Sequence, residues 1–419
     1  MSDAPPIPAT PRALADHLKS ASDPTVLVGL EGGYLACFLA SVSRELDAPL
    51  VLVVPDAQRA GLIEDGLAFF LGKSRDVRLF PTLDHLPFQG MSPSRLQVLG
   101  RMGALGRLAR SSGPRCDILV VPAAALLDRL PPPTHFSNRR LTLRNGDTLD
   151  RDALLDFLVA TGHHRVQNVE DMGSFAIRGE IVDIWSVLYD APVRIELFGD
   201  EVERLRPFDP DTQQSTGAPL TDFTISPARD LALTPEAIAM SRARLTELAD
   251  ARNVPSSRLR ALLSDLEHRI LPVGLEELLP AFHDSLSTLF DHIGKAHWLI
   301  LDPPAVTQAI ETRFEDLATR HAKADAKDGE LVFPLSTLVN SADYLVSTLT
   351  TRTRARIQSF FLGEDRNLRR FTATTTSQSD LRTDLERAAQ SGETHVLNPL
   401  MTRIARWRED AAAVVIAAH

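Results

Sequence analysis

The chain has 419 residues, 44% hydrophobic and 24% charged, with a formal net charge of −10. That balance fits a soluble globular protein of roughly two to four domains, and the acidic excess argues against phosphate-backbone binding as the main activity, while leaving room for a local basic patch. The two cysteines, Cys37 and Cys116, lack metal-ligand spacing and exclude a disulfide scaffold; with no signal sequence and no apolar run near the roughly 20 residues of a membrane span, a cytoplasmic location is expected and a membrane partner is not.

Residues 1–20 are a Pro-rich, unstructured lead-in and a short helix over 11–19. The run TVLVG at 25–29 is a strand that meets Gly-Gly and then an apolar helical stretch. LVLVV at 50–54 is a second buried strand, and Asp56 is placed to cap a helix over 57–71. Further strands are expected at 77–80 and 118–121. This alternation of strand and helix predicts a parallel sheet flanked by helices.

Strand, Gly-rich turn and helix is also the layout of a phosphate-binding loop. Such a loop needs a Lys for the β/γ-phosphates and a Ser or Thr for Mg²⁺. Gly29, Gly32 and Gly33 supply the glycines, but Tyr34 stands at the Lys position and Leu35 at the hydroxyl position. Glu31 adds negative charge where phosphate would sit. The loop is therefore expected to be degenerate, kept for tight packing, with neither ATPase activity nor a nucleotide or metal cofactor in this chain.

Residues 79–101 carry the frame FP-x4-LPF-x3-SP, an extended Pro-rich connection that leads into a helix over 94–110. His85, inside that frame, is expected to be a surface or packing residue. Pro131-Pro132-Pro133 marks a boundary. Beyond it a strand at 141–143, a turn at Asn145-Gly146 and a helix over 151–161 lead into the densest signal of the chain, residues 162–209. Phe175, Ile177 and Ile181 alternate with Ala176, Arg178 and Glu180, as along one half-buried strand. Val193, Ile195 and Leu197 alternate with Arg194 and Glu196. Gly199-Asp200 reads as a two-residue hairpin turn that sets Leu197 opposite Val202. Beyond that pair, a uniform register sets Ile195 against Arg204. Arg178, Glu180, Arg194 and Glu196 then form a mixed-charge strip facing solvent.

Helices are expected over 235–250 and 256–269. HWLIL at 297–301 is a buried strand that returns to the first sheet, which makes the β-rich part an insertion. It ends in Asp302-Pro303-Pro304. A helix and an exposed charged stretch follow over 305–330. The runs at 344–350 and 357–363 are strand-like, helices are expected over 380–391 and 398–408, and the apolar segment 411–419 reads as a strand of a domain that is cut short.

The runs FAIRGEIVDIW and VRIELFGDEVERLRPFD, the FP…LPF…SP frame and the segment LPVGLEELLPAFHDSLSTLFD together resemble the UvrB-homology region of bacterial transcription-repair coupling factors, which shares its small β-rich domain with the helicase UvrB. The resemblance covers nearly the whole chain but only the front of that family's protein. It implies an α/β fold: a degenerate P-loop-type lobe over 21–133 and 231–378, a UvrA-binding-like insertion over 134–230, and the start of a further α/β domain over 379–419. It also implies that Asp302 and Pro303 stand where UvrB carries the Asp-Glu pair of its Mg²⁺ and water motif, with Pro303 unable to replace the second carboxylate. Arg178 matches the arginine of the family's RG motif, and Arg194 and Glu196 its R-x-E; with Glu180 and Arg165 they are the expected UvrA contacts. Arg165 is displaced by about one residue from the family position, and Ala176 replaces an arginine of UvrB. RNA polymerase, DNA, ATP and Mg²⁺ would be engaged only by other domains of the family's full-length protein. Two further readings are the front of such an ATP-dependent translocase and a stand-alone protein that sequesters UvrA.

Overall fold

The computed structural model describes residues 7–20, 23–84, 87–88, 90–109, 116–359, 368–373, 379–390 and 395–409. His85 and the apolar segment 411–419 lie outside them. Fifteen strands are numbered in chain order among these residues. β1 (Ile7–Pro8), β2 (Thr25–Val28), β3 (Leu50–Val54), β4 (Val77–Leu79), β5 (Ile118–Pro122), β13 (His297–Leu301), β14 (Thr353–Gln358) and β15 (Arg369–Thr372) build one sheet, in the order β1-β15-β2-β14-β13-β3-β5-β4. Every pairing in it is parallel.

The apolar runs are continuous because both faces of this sheet are covered. Val51, Val53, Leu119, Val121, Trp298 and Ile300 point into one core. Leu50, Leu52, Val54, Ile118, Val120 and Leu299 point into the other. A strand buried on both sides needs a hydrophobe at every position, the composition of LVLVV. The Asp56 carboxylate caps helix Ala57–Leu71 by accepting from the Arg59 amide at 2.8 Å.

The chain leaves this sheet after β5 and rejoins it at β13. Between them stand β6 (Leu141–Arg144), β7 (His164–Arg165), β8 (Ser174–Arg178), β9 (Ile181–Ile184), β10 (Val193–Phe198), β11 (Glu201–Pro207) and β12 (Asp222–Ile225). β6 pairs with β12, and the other five form a sheet in the order β11-β10-β9-β8-β7, antiparallel except for β7 on β8. The fold is thus the expected α/β lobe with an inserted small sheet. Residues 231–282 contribute a further apolar cluster under helices Pro235–Ala251 and Ser256–Glu267, so the return to the large sheet itself starts at His297.

Helix Arg95–Leu108 anchors the insertion. A Cβ on Gly103 would lie 2.7 Å from the Val187 carbonyl oxygen, and one on Gly106 would lie 2.8 Å from Ser226 Oγ. Only glycine allows the helix so close. Val187, Leu188 and Ala228 of the insertion enter the core of the large lobe, and Arg107 donates to the Leu188 carbonyl.

Three expectations are corrected. Residues 7–8 are not part of an unstructured lead-in but an edge strand, with Ile7 beside Phe371. The β-branched run at 344–350 lies in helix Ala342–Arg352, because Ser341 caps it through the Tyr344 amide and Leu345 and Leu349 fall on one buried face. Residues 175–181 are not one strand. Gly179, at φ 61, starts a two-residue turn, so β8 and β9 are a hairpin with Arg178 opposite Ile181.

Candidate functional site

The small sheet has one apolar face. Phe175, Val182, Ile184, Val193, Ile195, Leu197, Val202 and Leu205 pack there with Leu154 and Leu158 of helix Arg151–Ala160. Leu197 does sit opposite Val202, but the register then shifts: Glu196 faces Arg204 and Ile195 faces Leu205. Glu203 is the extra residue of a β-bulge. The bulge returns Ile195 and Leu205 to the same face, which a uniform register would have denied them.

The other face carries the charged groups, and it is not simply solvated. Its centre is Asp183, a fully buried carboxylate absent from the sequence-derived strip. Register aligns Ala176, Asp183, Arg194 and Arg206 across four strands. Arg194 donates to Asp183 from Nε at 2.8 Å and from Nη2 at 2.9 Å. Arg178 donates to the same carboxylate from Nη2, and to Asn168 Oδ1 from Nη1 at 2.9 Å. The Arg194 guanidinium also lies 4.7 Å from the centre of the Phe208 ring, and the bonds to Asp183 raise its pKa above the ordinary arginine value. Val169, Ala176 and Phe208 form a small apolar cluster beside this network. Ala176 is therefore a packing position here.

Exposure sorts the expected residues. The Arg178 side chain is 45% exposed while that of Arg194 is 16% exposed. Arg178 can reach a partner; Arg194 is a buttress that fixes the carboxylate. Glu196 is partly exposed and pairs with Arg204 at 3.5 Å. Glu180 is exposed but lies in the β8–β9 turn, so it does not share the strand alternation assumed for it. Arg165 is set apart. It lies beside Phe175 in register, on the opposite side of the sheet from Arg178, and lines a separate cavity.

Sequence reading missed Phe198, 78% exposed at the tip of the β10–β11 hairpin. It alternates with Glu196 on β10, which places it beside the charged strip. Arg151 ties the two hairpin tips together by donating to the Gly179 and Gly199 carbonyls at 2.9 and 2.6 Å. The result is a fixed surface of Arg178, Glu196, Arg204 and Phe198, bordered by Glu180. Such a surface offers guanidinium donors and one aromatic, and no nucleophile or paired acid and base; it is suited to protein contact.

The Gly-rich loop after β2, expected from sequence to be a degenerate nucleotide loop, lies at the C-terminal edge of the large sheet, where ligands bind in open α/β folds. Gly29 has φ 84, and a Cβ there would lie 2.4 Å from the Ala373 carbonyl oxygen. Glycine at 29 is required both by its backbone conformation and by the close approach of Ala373. Gly32, Gly33 and Tyr34 open helix Gly32–Glu45 and are exposed, whereas Leu35 is buried. Asp302 is the cap of helix Pro303–Asp325, accepting from the Ala305 amide at 3.4 Å and pairing with Arg59 at 3.5 Å. Pro303 occupies the first helical position, where a missing N–H carries no penalty. Among the described residues, no His, Cys, Asp and Glu grouping could hold a metal ion, and no helix is long and apolar enough to cross a membrane.

Residues 141–231 match the family described as the UvrB interaction domain. Over 409 residues the chain is 34% identical to the transcription-repair-coupling factor of Myxococcus xanthus, covering 93% of this chain and 33% of that protein. The proteins of the same name from Bacillus subtilis (strain 168) and Escherichia coli (strain K12) are 29% and 25% identical over 306 and 340 residues, covering 69% and 81% of this chain. The chain spans 25% and 29% of those two proteins, so about a third or less of the length of these curated relatives.

Proposed function

The chain corresponds to the N-terminal UvrB-homology region of transcription-repair-coupling factors, and we propose that it is the module through which such a protein recruits UvrA in nucleotide excision repair. The observation that carries this reading is the Arg178–Asp183–Arg194 network on the sheet inside the matched domain. A buried carboxylate held from two sides fixes an exposed guanidinium in one orientation before any partner arrives. Docking then loses little side-chain entropy. Arg178, Glu180 and Glu196 make the polar contacts, Phe198 supplies an aromatic anchor, and Arg194 positions Arg178 through the shared carboxylate. Arg165, on the opposite side of the sheet, contributes at a separate point of contact.

In this reading the chain hydrolyses no ATP and needs no cofactor. Tyr34 and Leu35 occupy the positions of the catalytic loop's Lys and hydroxyl, and Asp302 and Pro303 serve as a helix start. RNA polymerase and DNA are engaged by parts of a longer protein outside these 419 residues, and ATP and Mg²⁺ belong there as well.

The test is capture of purified UvrA by this chain and by Arg178→Ala. Wild type is expected to retain UvrA, and the variant to lose most of it. Equal capture by both would reject the site. No capture by a folded wild type would reject the function.

A further inference from the structure

On the side of the small sheet opposite Arg178 lies a cavity of about 260 Å³. Four segments bring arginines to it: Arg95 from helix Arg95–Leu108, Arg165 from β7, Arg229 from the stretch after β12, and Arg269 just beyond helix Ser256–Glu267. His163 and His164 complete its polar wall, and Leu231, Leu233 and Leu271 give it an apolar floor. Among the described residues, the lining contains no carboxylate. In a chain with a formal net charge of −10, this is a concentration of positive charge that composition alone does not reveal.

Among the described residues, only one of these four arginines forms an ion pair. Arg269 pairs with Asp156 at 3.2 Å. Among the described residues, Arg95 donates to the neutral acceptors His164 Nδ1 at 2.7 Å and the Gly173 carbonyl at 2.9 Å, and Asp171 attracts it without forming an ion pair. Among the described residues, Arg165 and Arg229 have no carboxylate within ion-pair distance; Asp230 and Glu276 attract Arg229 only from farther away. Burial lowers the pKa of both Arg95 and Arg229, and Arg229 also depresses Arg95. Like charges held together in a partly buried cavity destabilise the fold until an anion neutralises them.

We propose that this cavity is a binding site for a single phosphate-type oxyanion. Guanidinium forks match phosphate oxygens in pairs, and a tetrahedral anion offers acceptors to several converging arginines, where a carboxylate offers two oxygens in one plane. The cavity's volume accommodates such a group. The site shares only Arg165 with the UvrA reading, and its test turns on Arg229, which that reading does not use.

Thermal unfolding of the intact 419-residue chain tests this, in sodium phosphate and in sodium chloride at equal ionic strength. Phosphate at about ten times its Kd is expected to raise Tm by about 2 °C over chloride. Arg229→Gln removes the rise, yet in chloride it melts no lower than wild type, since it relieves repulsion and breaks no ion pair. Arg229→Lys keeps part of the rise. An oligonucleotide with and without a 5′-phosphate separates the two sources of the group. A rise confined to the phosphorylated strand identifies nucleic-acid ends, and a rise with inorganic phosphate alone identifies the free anion. An equal rise in sodium acetate, or one that persists in Arg229→Gln, overturns the proposal.

Discussion

Arg194 grips Asp183 with two hydrogen bonds of 2.8 and 2.9 Å, and the carboxylate it grips is fully buried. The pair lies next to the exposed Arg178, which shares the same carboxylate. Removing the acid therefore leaves one partly buried and one exposed guanidinium without their common partner. Asp183→Asn is expected to lower stability by about 3 kcal/mol, as when one member of a buried ion pair is lost. Chemical denaturation would measure this. UvrA capture should fall too, since Arg178 loses its fixed orientation.

Arg178→Ala separates docking from folding. Its side chain is 45% exposed, and Asp183 keeps the Arg194 bonds in its absence. Stability should change by less than about 1 kcal/mol, while affinity for UvrA falls by about 2 kcal/mol, or roughly thirtyfold. Titration of UvrA against both proteins, alongside their melting curves, reads the two effects separately. Phe198→Ser should behave alike, weakening capture at unchanged stability.

Three buried histidines make the fold acid-labile. Burial is the main cause that pushes His135 and His163 down to about 3 and His292 down to about 4. His135 and His292 each hold a backbone carbonyl, of Arg229 and Pro131, at 2.9 Å from Nε2. The native state keeps the rings neutral, while the unfolded chain protonates them near the ordinary value of 6.5. Their contribution is complete above pH 6.5 and is lost as the pH falls toward these depressed values, at about 1.4 kcal/mol per pH unit for each ring. Asp230 opposes this: burial raises its pKa from 3.8 to about 6, so it favours the fold at low pH and loses that contribution as pH rises through the same window. It offsets about one histidine. Melting temperatures should therefore drop steadily from pH 6.5 to 4, and a flat profile would contradict the neutral-ring assignment.

The nucleotide loop gives a contrast between two glycines. Gly29→Ala meets both a φ of 84 and the Ala373 oxygen at 2.4 Å, and should cost about 2–4 kcal/mol. Gly32 also has positive φ, at 52, but opens on free space, so Gly32→Ala should cost only about 1 kcal/mol. Equal losses would mean that the loop's glycines are kept for backbone conformation alone. With ATP and Mg²⁺ the wild-type chain should show no turnover above background. Tyr34→Lys should not create any, because Leu35 is buried and Asp302 is already engaged as a helix cap.

Much of the large lobe was legible because its signals are local. A strand buried on both faces must be apolar throughout, as LVLVV is, and the Asp56 cap needs only the Arg59 amide three residues on. Errors arose where a local pattern has two solutions. Phe175 to Ile181 alternates correctly for one strand, yet Gly179 folds it into two. The run at 344–350 is rich in β-branched residues, yet Ser341 and the core contacts of Leu345 and Leu349 make it helical.

By itself the sequence determined the parallel lobe and the inserted sheet, because periodicity and capping act over a few neighbouring positions. Only the tertiary structure decided that Asp183 is the centre of the charged face, that Glu203 forms a bulge, and that Arg165 belongs to a separate basic cavity. Those facts depend on strand register and on contacts between segments far apart in the chain. A shift of one residue in pairing moves every side chain to the other face, and no local pattern fixes that choice.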